Sequence, residues 1–211
     1  IGEWCDLLPH VDPIRHALEG EWKCDDSRLV AASNARPAVL AVPLIPTGAY
    51  EIDVTFTPGF DRVPVQLYRN EMQYKNRFHD FRLTLPLGET FIKLGVVKDA
   101  SSDFVRALLD GENKPLKFPG AWSRFRVHPY ENPAASRLRV RVIPQGERAS
   151  VEVWSDRKRL VRWEGLLRDL PQFGDADSEP RCLRIESPDG GCEVYELELR
   201  PLSGTVRLGV Q

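Results

Sequence analysis

Three arginines stand at alternate positions of "SRLRVRV": Arg137, Arg139 and Arg141. Alternate residues of a β-strand share a face. The spacing therefore lines three guanidinium groups along one side of a strand, with Leu138, Val140 and Val142 on the other. A row of planar N–H forks can grip the carboxylate or phosphate of an acidic glycan. The same row is a compensated charge ladder if the strands carrying Glu51 and Asp53, and Glu196 and Glu198, are its neighbours. Glu51 and Asp53 lie two apart in "EIDVTF", about 6.6 Å along a strand. Paired carboxyl groups of a glycosidase flank the scissile bond at roughly 5–9 Å. A plain solvent-facing strand has the same spacing.

The segment "EVWSDRKRLVRWEG" (152–165) adds aromatic chemistry. If Val151 and Val153 face the core, Glu152 and Trp154 share the wet face. An indole there can stack on the C–H face of a pyranose while polar neighbours bond its hydroxyls. Trp163 shares parity with Val161 and reads as core. Trp122 opens "AWSRFRVH" and is placed beside a loop cleft, whereas Trp4 and Trp22 read as packing at the sandwich edge. The expected ligand surface is therefore Trp154, Glu152, Arg139 and Arg141, with Trp122.

Other chemistry is poorly represented. His10, His16, His79 and His128 lack metal spacing. His79 and Asp80 are adjacent, and adjacent strand residues point to opposite faces. Neither a G-x-S-x-G elbow nor a P-loop occurs. The turn "DGEN" offers Asp110, Glu112 and Asn113 as oxygen ligands for calcium, but such a turn is also common on surfaces. Cys5, Cys24, Cys182 and Cys192 form no C-x-x-C pair; they permit Cys5–Cys24 and Cys182–Cys192 bridges, or four free thiols.

The elements that must position these residues are strands. Period-2 alternation recurs in "AYEIDVTFT", in "SRLRVRV" and in "VYELELR", where Tyr195, Leu197 and Leu199 alternate with Glu196, Glu198 and Arg200. Further strands are expected at 28–33, 38–44, 62–69, 79–85, 89–97, 121–128, 149–154, 159–164 and 181–186, separated by turns such as "TPGFD", "LPLGE" and "SPDGG". Asp12 followed by Pro13 predicts a short helix over 12–18, and "DFVRALLD" (103–110) is ambiguous. The 211 residues suit one all-β domain, a two-layer antiparallel sandwich of jelly-roll type with one or two short helices. A net charge of −2 argues against a nucleic-acid binder or an anionic-membrane binder. The longest apolar run, "AVLAVPLI", is too short to span a bilayer. The chain begins at Ile1, so the expectation is a mature form or an excised domain with other domains in its parent protein.

In order along the chain come "VDP", "EGEWKCDDSRLVA", "AVLAVPLIPTGAYEIDVTFT", "ASVEVWSDRKRLVRWEG" and the closing "YELELRPLSG". This series resembles the concanavalin A-like (laminin G-like) jelly rolls of bacterial proteins, in particular those related to the 3-keto-disaccharide hydrolase family. The hairpin departs from that pattern, reading "DRK" in place of "DGK". "EIDVTF" also resembles the E-I-D-x-(x)-E strand of retaining jelly-roll glycosidases. Glu51 and Asp53 match its first two carboxylates, but Thr55 and Phe56 stand where the acid/base glutamate would be. The resemblance implies an extracytoplasmic setting, periplasmic or secreted. The function expected is a non-catalytic binding module for a glycan or acidic polysaccharide. A hydrolase of the 3-keto-disaccharide type is the alternative, and a structural or protein-interaction domain the second.

Overall fold

The computed structural model describes residues 2–32, 36–66, 72–98, 104–109, 122–125, 135–155, 158–173 and 181–208. Nineteen strands occur among them: β1 (Cys5–Asp6), β2 (Ala17–Glu19), β3 (Trp22–Asp25), β4 (Arg28–Ala31), β5 (Ala38–Val42), β6 (Leu44–Pro46), β7 (Tyr50–Pro58), β8 (Phe60–Gln66), β9 (Met72–Phe78) and β10 (Phe81–Leu87), then β11 (Thr90–Lys98), β12 (Phe104–Leu109), β13 (Trp122–Phe125), β14 (Ser136–Gln145), β15 (Arg148–Ser155), β16 (Lys158–Leu166), β17 (Leu183–Ser187), β18 (Cys192–Pro201) and β19 (Val206–Leu208). One sheet has the order β16-β15-β14-β7-β18-β4-β3, with β1 also paired to β18; the other runs β13-β12-β11-β10-β17-β5-β2. Two small ribbons, β19-β6 and β8-β9, accompany them. The two large antiparallel sheets form the expected β-sandwich.

The alternation read from sequence produces the core. Ile52, Val54 and Phe56 of β7, Val140 and Val142 of β14, and Val151 and Val153 of β15 are buried on the inner face of the first sheet. Phe81, Leu83 and Leu85 of β10 and Ile92 and Leu94 of β11 are buried with them in one apolar cluster. Phe56 and Phe81 stack with ring centroids 3.7 Å apart and planes 13° from parallel, tying β7 to β10. The Tyr50 hydroxyl donates to the Pro86 carbonyl at 2.9 Å, so its polar end is satisfied inside the core. Trp163 is buried, as its parity predicts.

Two expectations are corrected, and two readings that the sequence leaves open are settled. The helix over 12–18 does not form. Asp12 Oδ1 does accept from the backbone N–H groups of Ile14 and Arg15, as an N-cap would. The turn then stops, because the Ala41 N–H donates to the His16 carbonyl and Ala17–Glu19 pairs with β5. The only helices among the described residues are two 3-10 turns, Leu8–His10 and Leu167–Asp169. "DFVRALLD" resolves as a strand, held by β11 on one side and β13 on the other. In β18 the register shifts between Val194 and Glu196, so Val194 rather than Tyr195 takes the core position. Tyr195 is turned outward, its hydroxyl 2.7 Å from Glu193 Oε2. Such a bulge leaves one residue unpaired and breaks strict alternation. Neither disulfide forms: Cys5 and Cys24 are exposed thiols, and Cys182 and Cys192 are buried ones.

Candidate functional site

The outer face of the first sheet carries the site, and strand order builds it. β7 is flanked by β14 and β18. Glu51 therefore stands directly between Arg141 of β14 and Arg200 of β18. Asp53 stands between Arg139 and Glu198, with Arg137 one step along the diagonal. Both carboxylates lie in the middle of the sheet, Glu51 beneath arginines from both neighbours and Asp53 beneath two from β14. Their side chains are only 0% and 4% exposed. The reading of "EIDVTF" as a solvent-facing strand is thus corrected: the residues point outward, but arginines cover them.

A buried carboxylate is tolerated only when paired and hydrogen-bonded. Asp53 Oδ1 accepts from Arg137 Nε at 2.8 Å, and Asp53 Oδ2 accepts from Arg137 Nη2, Arg139 Nε and Arg139 Nη2 at 3.2, 3.0 and 2.7 Å. Glu51 Oε1 receives Arg141 Nε at 2.7 Å and Nη2 at 2.6 Å. Glu51 Oε2 receives Arg200 Nε at 2.6 Å and Nη2 at 2.5 Å. For Asp53, burial pushes the carboxyl pKa up, but the hydrogen bonds of Arg137 and Arg139 outweigh it and hold it below the usual value. Asp53 is therefore an anion at neutral pH.

Two indoles fix the arginine planes. The Arg141 guanidinium lies 5.1 Å from the centroid of the Trp154 ring. Trp4 is shared by Arg200, at 4.7 Å, and Arg139, at 5.3 Å. Each such contact contributes about 0.5–1 kcal/mol at an exposed site. Trp4 is brought there by the chain end: Gly2 N–H donates to the Pro201 carbonyl, and Cys5 pairs with Leu199. A Cβ at position 2 would come within 2.5 Å of Pro201 Cγ, so glycine permits that approach. Trp154 sits at a register shift in the β15–β16 hairpin, where it pairs with Arg159. Bulges of this kind re-aim side chains beside binding sites.

Glu51, Asp53, Arg137, Arg139, Arg141, Arg200 and Trp154 together line a cleft of about 660 Å³. Its four arginines and two carboxylates carry a formal charge of +2 (four minus two). Glu198 flanks it on β18. Glu152 flanks it on β15, 3.1 Å from Arg159 and 3.9 Å from Arg141. The site combines a dense array of fixed donors, two acceptor carboxylates and an aromatic face.

Of the residues expected from sequence, Trp154, Arg139 and Arg141 line this cleft and Glu152 borders it. Trp122 opens β13 in the other sheet, and its side chain lies outside the described residues. The turn with Asp110, Glu112 and Asn113 also lies outside them. Sequence reasoning missed Arg200 and Trp4. Arg200 shows an outward parity in "YELELR", but only the strand order places it opposite Arg141 across β7. Trp4 belongs to a stretch without periodicity, where it reads as edge packing. His79 and Asp80 lie in the connection between β9 and β10 rather than on a strand: His79 Nδ1 lies 2.7 Å from the Gly190 carbonyl, and Asp80 pairs with Arg82. Among the described residues, no group of three or more His, Cys, Asp or Glu is arranged to hold a metal ion, and no helix is long and apolar enough to cross a membrane.

No protein-family model matches the sequence, and the curated proteins give no match. Solved structures do match. The legume lectin-like domain from Entamoeba histolytica superposes with a TM-score of 0.54 at 9% identity, over 90% of this chain and 92% of that one. The Lotus tetragonolobus seed lectin gives 0.51 at 8% identity, over 92% and 93%. The carbohydrate binding module CBM66 from Bacillus subtilis gives 0.50 at 9% identity, over 95% and 97%. At these identities the likeness concerns architecture: the chain has the concanavalin A-like, legume-lectin-like β-sandwich fold.

Proposed function

We propose that this chain is a non-catalytic carbohydrate-binding module whose ligand enters the cleft between β14, β7 and β18. The observation that carries this reading is the pairing of a half-buried indole, Trp154, with a floor of fixed guanidinium and carboxylate groups. A sugar ring needs both an apolar plate for its C–H face and closely spaced donors and acceptors for its hydroxyls. Two of the similar folds are a seed lectin and a carbohydrate binding module by name. Those names concern those proteins; here they add weight to the site chemistry.

The hydrolase alternative has one observation on its side, two carboxylates two residues apart at the floor of a cleft. Their bonding speaks against it. A general acid must hold a proton at working pH, and Asp53 is held ionised by Arg137 and Arg139. Glu51 has guanidinium donors on both oxygens, so neither oxygen is left unengaged for a nucleophile's work. A purely structural face would keep the same ion pairs and bind nothing. Titration of the protein with a broad glycan panel, alongside Trp154→Ala, separates these readings. The expected result is binding by the parent that falls at least tenfold in the variant, about 1.4 kcal/mol. Binding by neither protein contradicts the module reading, and release of reducing sugar contradicts its non-catalytic part.

A further inference from the structure

All four cleft arginines engage their carboxylates through the same edge. Arg137 and Arg139 bind Asp53 with Nε and Nη2, and Arg141 and Arg200 bind Glu51 with Nε and Nη2. A guanidinium is planar, and its donors are fixed. When the Nε/Nη2 side faces inward, the Nη1 corner of the fork points away from the buried carboxylate. The arginine side chains are 53%, 45%, 38% and 26% exposed for Arg137, Arg139, Arg141 and Arg200. Glu152 Oε2 stands 3.9 Å from one of these corners, Arg141 Nη1. The indoles of Trp4 and Trp154 hold three of the four planes. The cleft thus presents several cationic corners whose orientation is set before any ligand arrives, over lining that is two charges positive.

We propose that the cleft recognises the carboxylate of a uronate-containing glycan, gripped by the outward corners of Arg139, Arg141 and Arg200, and that Glu51 and Asp53 are positioning residues that aim those corners. The inference rests on the glycan-binding reading above and names the ligand class. A carboxylate is planar and matches two N–H donors at once, whereas a lysine ammonium acts as a point charge. The carboxylates lower the net charge of the cleft while fixing its geometry. Pre-organisation of this kind reduces the ordering cost of binding.

Isothermal titration of the intact protein with oligogalacturonate, a neutral galacto-oligosaccharide and a sulfated, carboxyl-free galactan (carrageenan) oligosaccharide tests this. Oligogalacturonate is expected to bind at least tenfold more tightly than the neutral sugar. Arg139→Lys, Arg141→Lys and Arg200→Lys keep the charge but lose the fork, and each is expected to weaken oligogalacturonate binding about tenfold. Glu51→Gln raises the cleft charge by one. Simple charge attraction predicts tighter binding for that variant, and positioned forks predict weaker binding. If its melting curve shows that it does not fold, the lysine variants decide. Equal affinity for the neutral sugar, lysine variants that bind like the parent, or a preference for the carboxyl-free sulfated galactan each overturns the inference and leaves the glycan-binding reading standing. No binding to any member of these or the broader panel removes that reading as well.

Discussion

Replacing Asp53 by asparagine tests how far the arginine fan depends on a buried charge. Asp53 accepts four guanidinium hydrogen bonds, from Arg137 and Arg139, while its own side chain is only 4% exposed. Removing one partner of a buried ion pair costs about 3–5 kcal/mol. Arg137 and Arg139 are 53% and 45% exposed, so water resolvates both when the charge is gone. That screening lowers the expected loss to about 2–3 kcal/mol. For a chain of this length each kcal/mol moves the melting temperature by about 2–4 °C, so Asp53→Asn should melt about 4–12 °C lower at pH 7. The sign of the pH dependence follows from the native carboxyl pKa, which lies below the ordinary value. A depressed native pKa contributes stability that is complete above the unfolded value, near 3.9, and is lost as pH falls through the native pKa. The gap between parent and variant, measured by urea unfolding, should be constant from neutral pH to about pH 5 and close at lower pH. A gap below about 1 kcal/mol at pH 7, the size of a surface pair, or one that persists unchanged under acid, would refute the reasoning.

Two further outcomes concern the scaffold. Phe56→Ala removes a fully buried ring stacked on Phe81 across the two sheets, and chemical denaturation should show a loss of about 3–5 kcal/mol. A loss under about 1 kcal/mol would mean that the sheets do not pack through this pair. Thiol titration should find Cys5 and Cys24 reactive in the native protein and all four cysteines reactive only after unfolding. Burial raises the Cys182 pKa and pushes Cys192 up to about 12. Rapid reaction of all four in the native state would contradict the packing around β17 and β18.

The sandwich was legible because alternation is local. "SRLRVRV" alone says which side of β14 faces the core, and the hairpin 152–165 puts Trp163 inside and Trp154 outside. The arginine row and Trp154 were legible for the same reason. Glu51 and Asp53 are the partners that a compensated ladder calls for, and the structure pairs them with the row; that β7 is the neighbour, and that Arg200 joins from β18, is fixed by pairing between segments 84 to 149 residues apart, which alternation does not show. The burial of Glu51 and Asp53 follows from that pairing, since a carboxylate between two arginine-bearing strands is covered, while the same residue on an edge strand is wet. Tyr195 departs from the expected alternation because a bulge, which leaves little trace in composition, shifts the register there. The cap at Asp12 forms as the sequence predicts, but no helix follows, since pairing to β5 overrides a single cap.

The most direct test of the glycan site is to watch the arginines themselves. The Nε–Hε resonances of Arg137, Arg139, Arg141 and Arg200, assigned by single substitutions, can be followed by NMR during addition of the tightest-binding oligosaccharide. The account predicts saturable shifts in these signals together with the indole N–H of Trp154, while Arg82 and Arg184 on the opposite sheet stay still. Shifts confined to Arg82 and Arg184, with the four cleft arginines unmoved in the presence of bound sugar, would place the ligand elsewhere and contradict it.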